Sequence, residues 1–267
     1  MNYIKKIDIK NKKLFVIGDV HGCYNTLEKM ISKIPKSSFI VFLGDIIDKG
    51  PNSRKILNLI RNNENYQLLL GNHELRVIYK YLFSDDNINT KNKKNKNKKN
   101  GIDLEEEYNN EQTILLEDIK WLNDQPRIVF IKDFKNDEKE LVLSHTMINR
   151  EIINNYKDLI NNNKIDKEYI EFEKNLVNNR IPPNNNDDIL NIHGHIVINK
   201  HDNNYDKNNK IIFNKKLNYI NIDTGVFYNS KNFLTCLEVR KSLEFNDMKF
   251  IYMINKEKNT KISIFKK

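Results

Sequence analysis

Apolar residues along this chain come in short runs, each stopping at a polar cluster. LFVI precedes GDVHG, FIVFL precedes GDIIDKG, QLLL precedes GNHE, ELVL precedes SHTMINR, DDILNI precedes HGH and NYIN precedes IDTG. Runs of this length bounded by glycine read as buried strands. After the first of them, Leu27, Met30, Ile31 and Ile34 fall at i, i+3, i+4 and i+7, with Asn25 and Glu28 in N-cap and N3 relation. A helix is therefore expected directly after Cys23. Ser53 precedes RKILNLI, and Leu75, Ile78, Tyr79 and Leu82 make a third helical stripe after GNHE. Strand, Gly-rich turn and helix recurring three times is the grammar of an α/β sheet whose reactive residues gather at the carboxyl ends of strands.

Residues 84–112 break this rhythm with Asn, Lys and then EEE and have no apolar period, which predicts a mobile surface loop inserted into one catalytic domain spanning 1–267. Order returns in ILLEDIKWL, where Leu115, Ile119 and Leu122 share a face and Pro126 enforces the end. RIVFI and ELVLS read as a strand pair joined by the polar KDFKNDEK, 151–180 as helical, and NNRIPPNNNDD as a loop; INIDTGVFY and FLTCLEV add strands.

Composition narrows the setting. The chain has 39% hydrophobic residues and a mean hydropathy of -0.70, no stretch long and apolar enough to span a membrane, and charges where a signal peptide needs its apolar region. A cytoplasmic, monomeric protein is expected. Cys23 and Cys236 are too few for a disulfide framework. The net charge of +9 is scattered: residues 84–112, which hold the one lysine block, carry six lysines against seven acids. That block has no interleaved aromatics to stack bases, so neither nucleic acid nor a membrane is expected as partner.

Five of the six histidines, His21, His73, His145, His193 and His195, follow predicted strands directly; only His201 lies elsewhere. Asp19 and His21, one residue apart, point to one side of an extended segment and can grip one ion. Asp45 can bridge to a second ion, completed by Asn72, His145 and His195. Two divalent cations against two carboxylates leave the positive charge that a phosphate dianion needs. Mixed N and O ligands suit Mn, Fe or Zn better than Ca and do not choose among the three; Mn is the metal expected. His193 and His195 alternate along one strand, so either can face the metal.

GDVHG, GDIIDKG, GNHE, the strand-ending His145 and Gly194-His195 follow in order the motifs of the phosphoprotein phosphatase branch of the calcineurin-like metallophosphoesterases, which residues 14 to about 240 resemble. DKGPNS, WLNDQP and INIDTGVF are similar to stretches of its small bacterial and phage-type enzymes and of symmetrical diadenosine-tetraphosphate hydrolases. The resemblance implies an α/β fold of two mixed sheets packed as a sandwich, with helices outside. It implies that Asp19, His21 and Asp45 hold the first metal and Asp45, Asn72, His145 and His195 the second. His73 becomes the general acid, held by Asp48, and the nucleophile a metal-bridging hydroxide. It favours His195 over His193 as the ligand.

Two positions depart from the family pattern. Lys49 stands where Asp-Arg-Gly is usual, turning a two-pronged phosphate clamp into a point charge. Arg180, in NNRIPP, resembles an arginine that precedes the last metal histidine in the phage-type enzymes, which implies that it supplies the rest of the clamp, with Arg150 as a further candidate. SHTM replaces the common His-Ala-Gly or His-Gly-Gly turn. DTG at Asp223–Gly225 has no second copy and reads as a structural or substrate-flanking turn rather than an aspartic-protease motif. The expected function is hydrolysis of phosphoserine or phosphothreonine esters, a use to which the resemblance ties Asp48. The alternatives are symmetrical diadenosine-tetraphosphate hydrolysis and a silent phosphoprotein-binding scaffold.

Overall fold

The computed structural model describes residues 3–83, 101–136, 139–161, 166–183, 188–198, 205–206, 210–228, 232–239, 249–255 and 257. Its strands are β1 (Ile4–Ile7), β2 (Leu14–Ile17), β3 (Phe39–Phe42), β4 (Tyr66–Leu68), β5 (Ile128–Asn136), β6 (Lys139–Ser144), β7 (Ile189–His193), β8 (Tyr205–Asp206), β9 (Ile211–Asn214), β10 (Tyr219–Asn221), β11 (Phe233–Val239) and β12 (Lys249–Ile254). They form two mixed sheets, ordered β1-β5-β6-β7-β10-β9-β8 and β12-β11-β2-β3-β4. The helices are α1 (Tyr24–Ile31), α2 (Ser53–Arg61), α3 (Asn72–Leu82), α4 (Gln112–Asn123), α5 (Arg150–Asn161) and α6 (Lys167–Asn178). None of them is long and apolar enough to cross a membrane.

Strand alternation builds the layers. In β2, Leu14 and Val16 face a core shared by both sheets, with Val41, Leu143, Ile192 and Ile220. Phe15 and Ile17 face the opposite way, onto Leu27, Ile56, Ile78 and Leu115 of α1 to α4. A third core, with Ile128, Val142, Ile153, Tyr156 and Leu176, seats α5 and α6 on the outer face of the larger sheet. Strands covered on both faces must be apolar throughout, hence the unbroken LFVI and FIVF. Helices, two sheets and helices thus stack in four layers.

The topology aligns the reactive ends. β2, β3 and β4 run parallel in one sheet, β6, β7 and β10 in the other, and every polar cluster of interest follows one of these strands.

Several local expectations are corrected. Cys23, not Asn25, takes the cap position of α1; the Asn25 amide instead donates to Glu257, whose carboxylate also accepts the Thr26 N–H. KDFKNDEK is mostly strand, because β5 continues to Asn136 beyond a register shift. The IDTGVFY half of INIDTGVFY is not a strand, since β10 stops at Asn221. Residues 101–112 are no free loop: Leu104 and Tyr108 of a 3-10 turn, Leu104–Tyr108, are fully buried, two apolar anchors being too few to give a period. The lysine block at 91–99, like His201, lies outside the described residues.

Candidate dinuclear metal centre

Asp19, Asp45, Asn72, His145, His195 and Asp223 all lie within four residues of a strand's carboxyl end, in turns that aim them at one another. The turns are contorted. His21, Asp45, Asp48, Lys49 and His195 all have positive φ, 46°, 49°, 64°, 67° and 65°, a region that non-glycine residues enter at a cost. His21 therefore converges on the cluster through a left-handed turn and not, as the spacing suggested, from an extended segment. Gly71 lets the backbone close in: a Cβ there would lie 2.3 Å from Asp45 Oδ1 and 2.9 Å from His145 Cε1.

Asp45 sits between two groups of potential ligands whose atoms lie within 4.8 Å of one another, His21-Asp45-His73 and Asp45-His145-His195. His21 Nε2 is 3.6 Å from Asp45 Oδ2, and His145 Nε2 is 3.5 Å from Oδ1. Asn72 Oδ1 lies 3.1 Å from His145 Nε2 and 3.0 Å from His195 Nδ1. Asp19 belongs to neither group; its Oδ1 accepts the His195 N–H at 3.1 Å. His193 is packed against Tyr219, ring centroids 5.4 Å apart, and is not brought to the cluster.

The donor chemistry fits cations. His145 Nδ1–H donates to the Leu43 carbonyl (2.8 Å) and His21 Nδ1–H to that of Ile47 (3.2 Å), so both present an Nε2 lone pair to the site. Burial lowers the pKa of His145, and of His21 and His195 to about 3, so all three are neutral. His145 Nε2 then faces the Asn72 oxygen with no proton between them. His195 Nε2 is buried with no hydrogen-bond partner. Burial, then the charges of Asp223 and Asp45, raise Asp19 well above the usual carboxylate range; burial, with Asp45 adding to it, pushes Asp223 up to about 6. The unpartnered Nε2 of His195, the His145 Nε2 facing the Asn72 oxygen without a proton, and two carboxylates raised by burial and by their neighbours are what divalent ions satisfy.

His73 stands at the rim. Its Nδ1–H donates to Asp48 Oδ2 at 2.6 Å, and its Nε2 is 3.9 Å from Asp45 Oδ2. Burial alone would lower its pKa; the Asp45 and Asp48 carboxylates outweigh that and hold it above the ordinary value. Lys49 Nζ donates to His21 Nε2 (2.7 Å) and to the exposed Tyr228 hydroxyl (3.0 Å). Arg180 is exposed beyond α6, near enough for its charge to act on His195 and Asp223. Arg150 is not a clamp: it is taken up in ion pairs with Glu140 (2.7 Å) and Asp188 (2.6 Å).

Two residues that sequence reasoning passed over organise the corner. Glu74, fully buried, accepts the N–H groups of Asp45 (2.8 Å), Ile46 (2.9 Å), Ile47 (3.2 Å) and Gly71 (2.9 Å). Asn191 accepts the Ile148 N–H and donates to Val142 O and Ser144 Oγ, pinning β7 to β6 beside His145. Each left a signal, a charged residue in GNHE and an amide inside the apolar ILNIH.

The sequence pattern of calcineurin-like phosphoesterases matches residues 12–222. The chain belongs to this family. Among curated calcineurin-like relatives, the symmetrical bis(5'-nucleosyl)-tetraphosphatase of Erwinia tasmaniensis is 30% identical over 138 residues, 50% of this chain and 44% of that protein. That of Wigglesworthia glossinidia brevipalpis is 39% identical over 71 residues, 25% and 26% of the two chains. The matched segments thus span less than half the length of these relatives. A protein serine/threonine phosphatase from Saccharomyces cerevisiae superposes with TM-score 0.58 at 14% identity, covering 98% of this chain and 86% of that one. A cold-active protein-tyrosine phosphatase from a Shewanella species gives 0.53 at 17%, covering 97% and 81%. Both share the calcineurin-like fold with this chain.

Proposed function

We propose that the protein is a dinuclear-metal phosphomonoesterase acting on phosphoserine and phosphothreonine. In this reading Asp19, His21 and Asp45 hold one ion and Asp45, Asn72, His145 and His195 the other. When bound, the cations supply an activated water and a positive field for the phosphoryl oxygens. Lys49 and Arg180 bind and orient the phosphate. His73 delivers a proton from Nε2 to the departing oxygen, while Asp48 on Nδ1 holds the ring's orientation and favours its protonated form.

The observation that carries this reading is the His73–Asp48 contact. A serine or threonine alkoxide is a poor leaving group and needs a proton in the transition state; the nucleotide released from a polyphosphate does not to the same degree. A buried carboxylate fixed on the outer nitrogen of a rim histidine is therefore of most use to a phosphomonoesterase.

The names of the curated relatives favour a second reading, symmetrical hydrolysis of bis(5'-nucleosyl) tetraphosphates. A groove of about 490 Å³ beside α5 and α6, lined by Met147, Ile152, Phe172, Asn175, Asn179 and Arg180, offers apolar and amide surface for a nucleoside.

Metal-stripped protein reloaded with Mn2+ is given a phosphothreonine peptide and diadenosine tetraphosphate. Peptide turnover that falls by about 10²- to 10⁴-fold in His73→Asn supports the phosphomonoesterase. Turnover of the dinucleotide alone, indifferent to His73→Asn, replaces it with the second reading.

A further inference from the structure

Asp48 and Lys49 are consecutive non-glycine residues with left-handed backbone, and Asp48 must keep that shape for its carboxylate to meet His73. Part of the restraint is local: the Asp48 N–H donates to Ser53 Oγ at 3.0 Å. The rest comes from residues 101–108, more than fifty positions away.

The Ile102 N–H donates to the Lys49 carbonyl (3.0 Å), forming an isolated antiparallel bridge. The Leu104 N–H donates to Asp48 Oδ1 (2.8 Å). Glu107 accepts the N–H groups of Ser53 (2.7 Å) and Arg54 (3.0 Å), so the same segment caps α2 just past the Asp48–Lys49 corner. Gly101 makes the approach possible: its φ is +108°, and a Cβ there would lie 2.2 Å from the Lys49 oxygen. Leu104 and Tyr108 anchor the segment in the core, and the Tyr108 hydroxyl donates to Asp118 of α4.

The division of labour on the Asp48 carboxylate is specific. Oδ2 serves His73 Nδ1 and Arg76, each at 2.6 Å; Oδ1 serves Leu104. A carboxylate held on one oxygen can still turn about its last bond. Held on both, it presents Oδ2 to the imidazole in one direction.

We propose that the 101–108 segment is a positioning strut for the proton-donating pair, and that the backbone N–H of Leu104 orients Asp48 and, through it, His73. The strut touches no substrate. The effect that runs through the Leu104 N–H is confined to steps that need the proton. This inference rests on His73 being the general acid.

The test compares Leu104→Pro with Leu104→Ala in the Mn2+-loaded protein. Leu104 opens the 3-10 turn behind Asp103, whose φ of -77° and ψ of 150° suit a residue preceding proline. Proline removes the N–H; alanine keeps it, and so measures the loss of packing alone. Kcat is read on a phosphothreonine peptide, with an alkoxide leaving group, and on p-nitrophenyl phosphate, whose leaving group needs little protonation. Relative to Leu104→Ala, Leu104→Pro is expected to lose about tenfold or more on the peptide, with the aryl ester and both KM values unchanged. Equal losses on the two substrates, or no difference between the variants, overturn the strut. Should Leu104→Pro fail to fold, Gly101→Ala, which blocks the approach to Lys49, must show the same kcat split between the two esters against wild type, any rise in KM being equal on both because Lys49 moves with the segment. His73→Asn run in parallel separates the two ideas. A peptide-selective loss there with none in the strut variants defeats the strut alone; an equal loss on both esters in His73→Asn defeats the acid assignment and the strut with it.

Discussion

Glu74 touches neither His21 nor His145, yet four backbone N–H groups of the metal corner converge on its carboxylate, and no neutral side chain of that shape can accept all four. Glu74→Gln would set an amide NH2 against two of those donors, leaving buried N–H groups unpaired at about 1–3 kcal/mol each. The urea midpoint is expected to fall by an amount equivalent to about 2–6 kcal/mol, and an unchanged midpoint would show that the four bonds are dispensable. At this scale the residue types that gather in the cluster were legible in the sequence, because few residue types offer lone pairs to cations and their order along the chain was distinctive. Backbone shape was not. Nothing in the letters of His21, Asp45 or His195 announces a positive φ; neighbouring Gly22, Gly44 and Gly194 hinted only at turns.

Among elements, α5 and α6 are fastened to the body by one buried charge. Glu173 of α6 is 2.7 Å from Arg127 Nε and accepts the hydroxyls of Tyr79 (2.7 Å), Tyr156 (2.6 Å) and Tyr169 (2.8 Å). Tyr79 lies on α3, the helix that begins with Asn72 and His73, so this node ties α5 and α6 to the rim of the candidate site. Glu173→Gln removes the countercharge from a guanidinium that is almost fully buried, at a cost of about 3–5 kcal/mol. Thermal melting should drop by about 6–20 °C; a shift under about 2 °C would mean that Arg127 finds compensation elsewhere. In the sequence, α5 and α6 merge into one helical stretch over 151–180, and β1, β8, β9 and β12 do not stand out as strands. Helices α1 to α4 were legible from their apolar spacing, and the central strands from their apolar runs. The node was not, because Arg127, Tyr156 and Glu173 look like ordinary surface letters until the fold brings them together. The 101–108 strut escaped for a related reason: with only Leu104 and Tyr108 to bury, it carries no period, and its work is done by backbone N–H groups that no sequence displays.

At the scale of the whole molecule, the sandwich brings the carboxyl ends of three parallel strands from each sheet to one edge, so each sheet carries part of the cluster: Asp19, Asp45 and Asn72 from one, His145, His195 and Asp223 from the other. Alternating strand and Gly-rich turn foretold the aligned ends; which strand would pair with which across the two sheets was decided by burial on both faces, beyond the reach of local pattern. Cations bound across that edge would bridge the two sheets and act on global stability. Asp19 and Asp223 point the same way, since both are pushed up by burial and by neighbouring carboxylates. A ligand that binds only the folded state at about 100 times its Kd adds about 2.7 kcal/mol. For a chain of this size that corresponds to a rise in Tm of about 5–11 °C when Mn2+ is added to stripped protein. Asp45→Asn, which takes the carboxylate shared by both ligand groups, should abolish most of that rise; a full rise in Asp45→Asn would place the stabilising ions somewhere other than this edge.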